Sequence, residues 1–317
     1  MLQISTRHFL QSDEWAQFQK SLGGKVIQRQ GDGWQYLALL ERGYGTIGRH
    51  FLRLYCPYGP FAVDSKALQV ALADLEQQAV QHQTDYIRIE PIIPSPDWAF
   101  GGEQFGYTKQ AHAFQPERTL FIDLEPDFTT VLGDMSETNR RMRKKAAKLG
   151  MEFSISYELK DLEAFMMMME ATASRTQRIF QKGQYYELLL QTLGASKHVG
   201  VAYASINGEI LTGVLFADDH EAKIRYYLYA GSFDTARKYS ANGPLVCYLL
   251  EEAKQRGIKM FDFYGVAPLD APEDHAWAGF SRFKRSFGGR EHVFVGTWEK
   301  PLNKWRYMCV HLLRKFA

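Results

Sequence analysis

Residues 198–217 read HVGVAYASINGEILTGVLFA. Two runs rich in β-branched, aromatic and small apolar residues flank Asn207-Gly208, a pair that accepts the positive φ a two-residue hairpin turn requires. The pattern predicts strands over 198–206 and 209–217, and a third over 222–230 completes an antiparallel meander. Working outward, residues 151–157 alternate as a strand, and Leu162, Phe165, Met166, Met169 and Ala173 form the inner stripe of a helix. The methionine run would suit copper, but helical spacing with no His or Cys nearby reads as core packing. A helix over 185–193 leads into the meander. A helix over 244–255, a strand over 259–264, a helix over 276–287 and a strand over 292–298 follow it.

The first half carries a shorter version of this order. A helix over 13–20 follows the cap Ser12, with Trp15 and Phe18 inward, and strands over 25–30 and 34–40 meet at Asp32-Gly33. A strand over 51–55 runs into Pro57-Tyr58-Gly59-Pro60, and a helix over 65–83 turns Leu68, Val70, Ala71, Leu75 and Ala79 to one face. Strands over 85–89 and 118–124 complete this half. The expected domains are 1–135 and 136–298, with 299–317 forming a helix that packs back on the first.

With 317 residues, 45% hydrophobic and 14% aromatic, the chain has material for two cores, and disorder is excluded. A formal charge of +2 excludes a protein basic throughout and moves attention to local patches. Cys56, Cys247 and Cys309 lie far apart without CxxC spacing, which suits a reducing compartment and argues against a disulfide framework or a Cys-rich zinc site. The histidines are scattered without ligand spacing, so no metal is expected. Neither a secretory leader nor an apolar span of roughly twenty residues is legible, and a cytoplasmic location is expected.

The order strand, two helices, three antiparallel strands, helix, strand, helix, strand resembles the Gcn5-related N-acetyltransferase (GNAT) fold. The fold class implied is mixed α+β, two tandem GNAT-like domains with a cleft between them. A coenzyme A-dependent member would carry a Gly-rich loop entering the helix after the meander. Here 236–244 reads ARKYSANGP, with one glycine and with Pro244 removing an amide donor, which counts against coenzyme A.

A second resemblance, running through nearly the whole chain, is to the peptidoglycan-bridge aminoacyltransferases of the FemX and FemA/FemB family. It rests on Ser12-x-x-Trp15-x-x-Phe18-Gln19, Pro57-Tyr58-Gly59-Pro60, Met142-Arg143-Lys144-Lys145-Ala146 before Gly150, and Thr172-Ala173-x-Arg175 ahead of Tyr185-Tyr186. It continues in Tyr226-Tyr227-Leu228-Tyr229-Ala230-Gly231-Ser232, Phe261-Asp262-Phe263-Tyr264-Gly265 and Gly279-x-x-x-Phe283-Lys284-x-x-Phe287-Gly288. The resemblance implies transfer of an amino acid from aminoacyl-tRNA, a co-substrate, to an amine of a peptidoglycan precursor, without a cofactor and with the substrate assisting proton transfer. It implies that Lys284 lies at the reacting centre. An ammonium there would stabilise the tetrahedral oxyanion, and no Ser-His-Asp or Cys-His set suggests a covalent route. Taken alone, Lys284 reads first as a surface lysine laid along the stripe of Phe280, Phe283 and Phe287.

The resemblance also implies a precursor site with Tyr185 and Tyr229. Tyr227 is expected on the same strand face as Tyr229, and Asp262 and Tyr264 at a strand end; Phe283, Arg175, Gln181, Gln19 and Lys20 complete the candidates. Family members that act on the nucleotide-linked precursor hold a lysine and an arginine where this chain has Gln19 and Gln181, beside Lys20 and Lys182. The acceptor, a UDP-linked or lipid-linked muropeptide or another amine, stays open. Arg140, Arg141, Arg143, Lys144, Lys145 and Lys148 are tRNA-backbone candidates or, equally, a solvated helix face. No heptad run supplies the family's coiled-coil arm. Within 301–316, Trp305, Met308, Cys309, Leu312, Leu313 and Phe316 make an apolar stripe beside Lys304, Arg306, Arg314 and Lys315. It reads first as a helix docked on the first domain and second as a peripheral helix at the inner face of the membrane. A monomer is expected. Two other functions stay open, an acyl-CoA N-acyltransferase and a catalytically decayed tRNA-binding module.

Overall fold

A computed structural model describes residues 7–43, 48–93, 100–176 and 179–315, with side chains throughout except at 311 and 313–315. The chain divides into two units, residues 1–117 with 293–317, and residues 118–292. In the first lie α1 (Asp13–Ser21), β1 (Lys25–Gly31), β2 (Trp34–Arg42), β3 (Leu52–Cys56), β4 (Phe61–Ala62), α2 (Ser65–Gln81), β5 (Tyr86–Ile89) and β6 (Thr108–Lys109). The second opens with β7 (Arg118–Asp123), α3 (Phe128–Asp134), α4 (Glu137–Lys148), β8 (Glu152–Ser156), α5 (Leu162–Thr176) and α6 (Gly183–Leu193). It continues with β9 (Val199–Ile206), β10 (Glu209–Asp219), β11 (Ile224–Ser232), α7 (Thr235–Tyr239), α8 (Asn242–Gln255), β12 (Met260–Gly265), α9 (Ala278–Arg285) and β13 (Arg290–Val293). β14 (Trp298–Pro301) and α10 (Lys304–Lys315) return to the first unit.

Each unit is built on a mixed sheet. Among the described residues the first has the order β1-β2-β3-β5-β14-β6, with β4 also pairing β2, and the second β13-β7-β12-β11-β10-β9-β8. In the first unit α2 sets Leu68, Leu72 and Leu75 against Leu54, Ile87 and Ile89. In the second α8 sets Leu245, Leu249 and Leu250 against Val214, Phe216, Phe261 and Phe263. Ser12 and Asp64 cap α1 and α2 by accepting from Trp15 N at 3.1 Å and Ala67 N at 2.7 Å.

Two expectations about organisation are corrected. The boundary lies at 117/118 rather than 135/136, because β7 pairs antiparallel with β12, Phe121 opposite Asp262, and Val131 and Met135 enter the second core. The single strand expected over 292–298 is two strands, β13 beside β7 and β14 between β5 and β6. Gly296, at φ 80°, lies between them, and a side chain there would meet the Glu117 carboxylate.

The candidate active site of the second unit

β11 and β12 share a parallel ladder over Ile224–Met260, Arg225–Phe261 and Tyr226–Asp262 only, although β11 runs on to Ser232 and β12 to Gly265. Past that point β11 stays with β10, while Tyr264 turns to φ 61°, a left-handed conformation an aromatic residue adopts only when its surroundings hold it there. The strands part, and their backbone groups need other partners. In the first unit the corresponding pair, β3 and β5, is closed past its end: Glu90 N donates to Cys56 O at 3.3 Å and to Gly59 O at 3.1 Å.

In the second unit, α9 supplies the partners. Lys284 is buried, and its Nζ donates to Gly265 O at 2.7 Å. The ammonium lies 4.8 Å from the Phe280 ring centroid and 5.8 Å from that of Tyr227. Two neighbours on the same helix hold the same loop. Ser281 Oγ accepts from Ala267 N at 2.8 Å, and the Arg285 guanidinium donates to Ala267 O and, at 2.6 Å, to Glu291. Positions 281, 284 and 285 stand three and four apart, so one helix face meets the strand exit. Behind them Phe287 is buried against Phe263 and Phe283, with ring centroids 5.4 and 5.1 Å away. The chain then folds back on β7 through Gly289, at φ 89°, where a Cβ would stand 2.3 Å from Phe121 O.

Asp262 faces the same region from the end of the ladder. Its carboxylate is buried and accepts from Thr119 Oγ1 and, at 2.6 Å, from Tyr264 N. Burial pushes its pKa up to about 6, against the opposing pull of those two hydrogen bonds and of the Lys284 charge. Tyr185 is hydrogen-bonded to Tyr229, with ring centroids 6.3 Å apart. Burial, then Tyr229, then Tyr264 push the Tyr185 phenol well above its ordinary value, and burial raises Tyr229 as well, so the three tyrosine hydroxyls form one group in which Tyr185 and Tyr229 hold their protons. A buried cation beside a carboxylate and a group of hydroxyls can orient a polar substrate and stabilise an oxygen on which negative charge develops.

The FemAB family model matches residues 2–212 and 209–315. The chain belongs to the FemAB family. Aminoacyltransferase FemB of Staphylococcus epidermidis is 30% identical over 110 residues, 34% of this chain and 25% of FemB. Aminoacyltransferase FemA of the same organism is 32% identical over 91 residues, 29% of this chain and 19% of FemA. The matched segments are thus a quarter or less of those relatives. The crystal structure of FemX superposes with a TM-score of 0.83 at 17% identity, covering 96% of this chain and 94% of FemX. A tandem GNAT protein from the clavulanic acid biosynthesis pathway gives 0.52 at 10% identity, covering 88% and 83%. The fold of this FemAB-family chain is accordingly mixed α+β with tandem GNAT-like units.

The structure brings Lys284, Tyr227 and Asp262 together, and Tyr185, Tyr229 and Tyr264 with one another, while Phe283 packs on Phe287. Tyr227 and Tyr229 do not share a face as the alternation implied. Register slips at Leu228, with Phe216 opposite Tyr227 and Leu215 opposite Tyr229. Tyr227 therefore packs on Phe261 and Phe263, whereas Tyr229 packs on Tyr185 and Tyr186. Arg175 is engaged by the end of β11, donating to Ser232 O at 3.3 Å, Ser232 Oγ at 3.2 Å and Asp234 at 3.1 Å. Gln181 and Lys182 are exposed ahead of α6, and Gln19 and Lys20 lie on α1 of the first unit.

Along α4, Arg143 pairs with Glu251 at 2.8 Å and Arg140 donates to Gly133 O at 2.7 Å, while Arg141, Lys144, Lys145 and Lys148 are exposed. At the start of α8, where a GNAT loop would hold coenzyme A, a Cβ on Gly243 would stand 3.2 Å from Asn139 Oδ1 of α4. Thr119, Ser281, Arg285 and the Gly265 carbonyl were not anticipated. Only Ser281 and Arg285 had a signal, Ser281 standing three residues before Lys284 and four before Arg285.

Proposed function

We propose that this chain is an aminoacyltransferase that moves an aminoacyl group from aminoacyl-tRNA to an amine of a peptidoglycan precursor. The observation that carries the reading is the buried Lys284 ammonium at the parted ends of β11 and β12, in a chain of the FemAB family. The acceptor amine attacks the ester carbonyl, forming a C–N bond and a tetrahedral oxyanion. Lys284 stabilises that oxygen as an electrostatic catalyst, exchanging its hydrogen bond to Gly265 O for one to the oxyanion. The intermediate collapses with cleavage of the ester C–O bond, and the proton lost by the amine passes to the departing ribose oxygen with help from the substrate. Since the ester is already activated, no enzyme nucleophile and no cofactor is needed.

Asp262 supplies the counter-charge to Lys284, and the Tyr185–Tyr229–Tyr264 group offers hydroxyls to the precursor. The exposed Arg141, Lys144, Lys145 and Lys148 offer the clustered charge a tRNA backbone needs. Asn139 against the start of α8, with Pro244 in its first turn, weighs against the acyl-CoA alternative.

The test is Lys284→Met, incubated with charged tRNA and muropeptide acceptors and read by the mass added to the acceptor. The rate is expected to fall at least ~100-fold, as for loss of an oxyanion donor. An unchanged rate removes the role from Lys284, and no product from any charged tRNA with the parent chain removes the reaction.

A further inference from the structure

Helix α10 keeps one side on the first unit and turns its apolar side to solvent. On the inner side Val310 is buried, and Tyr307 donates to Glu299 at 2.8 Å and packs on Tyr86. Arg306 donates to Asp85 and to His50 O. On the outer side Trp305, Met308 and Leu312 are 77%, 49% and 51% exposed, and Cys309 is exposed with them. At about 100° per residue these four positions fall within an arc of about 100°, a continuous apolar stripe that the fold leaves uncovered. The stripe expected from sequence also included Leu313 and Phe316, which lie outside the described side chains.

The surroundings decide what would cover it. The helix reads KWRYMCVHLLRK, with no acidic residue. The segment that Arg306 grips carries exposed Arg49 and His50, and Arg42, also exposed, donates to Arg49 O at 3.1 Å. Asp85 is buried beneath Arg306. Exposed Lys304, Arg42 and Arg49 thus give an apolar stripe a basic rim, the pattern of a helix lying in the interface of an anionic bilayer. A second copy fits less well. A stable pairing needs roughly 800 Å² from each partner, more than three side chains and a cysteine supply, and a symmetric one would set basic rims against each other.

We propose that the outer face of α10 is a docking surface for anionic lipid, holding the first unit on a membrane with Trp305, Met308 and Leu312 inserted. The surface does not depend on the proposed reaction; only its consequence, a lipid-linked acceptor within reach, rests on that reading.

The full chain is to be co-sedimented, without substrates, with phosphatidylglycerol-containing vesicles and with phosphatidylcholine vesicles, beside a Trp305→Ser/Met308→Ser/Leu312→Ser variant. Matching melting temperatures establish that the variant is folded. The parent is expected to partition to the anionic vesicles at least ~10-fold more strongly than the variant and more strongly than to phosphatidylcholine, with salt weakening the binding. Equal partitioning of parent and variant, or no binding by the parent, overturns the proposal. So does a parent dimer, seen by sedimentation equilibrium, that the triple substitution dissociates.

Discussion

Replacing Asp262 by asparagine separates the charge in the site from its hydrogen bonds. An amide oxygen can still accept from Thr119 Oγ1 and from Tyr264 N, so the substitution removes the ionisable group and keeps the local geometry. In the folded chain the carboxyl has a pKa of about 6 against an ordinary 3.8, raised by burial. A folded pKa above the unfolded one means that the folded state holds more protons between the two values. The contribution of Asp262 is therefore complete below the unfolded value and is lost as pH rises through about 6. The difference of about 2 units corresponds to about 3 kcal/mol. Asparagine suffers no such loss. The stability of Asp262→Asn relative to the parent, followed by urea unfolding from about pH 4 to pH 7, should shift in favour of the variant by up to about 3 kcal/mol. Other carboxylates titrate in both proteins and cancel in the comparison. A stability difference that stays constant across this range would refute the reasoning.

Two further outcomes test the scaffold. Asp218→Ala strips the bidentate partner, at 2.7 and 2.8 Å, from Arg225, whose side chain is fully buried; it should cost about 3–5 kcal/mol, read from the urea midpoint. Gly289→Ala puts a Cβ 2.3 Å from Phe121 O at a φ of 89°, and a loss of at least ~2 kcal/mol is expected in the same assay. A loss under ~1 kcal/mol would mean that the turn after α9 does not hold the helix on β7.

Much of this protein was legible from local pattern. Asn207-Gly208 marks the β9–β10 hairpin because few residue pairs accept a positive φ twice, and the helices appear where apolar residues recur at three and four. The short pieces were not legible: β4, β6 and α3 hold two, two and seven residues, too few for a period to show. Nor was the bulge at Leu228, since a one-residue slip is set by which backbone groups the neighbouring strand offers, and it moved Tyr227 to the opposite face from Tyr229.

The residues around Lys284 divide in the same way. By itself the sequence determined that a lysine stands on a helix beside Phe280 and Phe283, with Phe287 just past its end, because spacing along one helix is a local property. That this lysine is buried and aimed at Gly265 O only the tertiary structure decided. Its partner lies nineteen positions earlier in the chain, and its burial follows from the parting of β11 and β12, which depends on ladder pairing and on Tyr264 turning to a positive φ. Residues so far apart meet only when the sheet forms, and the windows of about 11–18 residues in which a period shows do not contain them both.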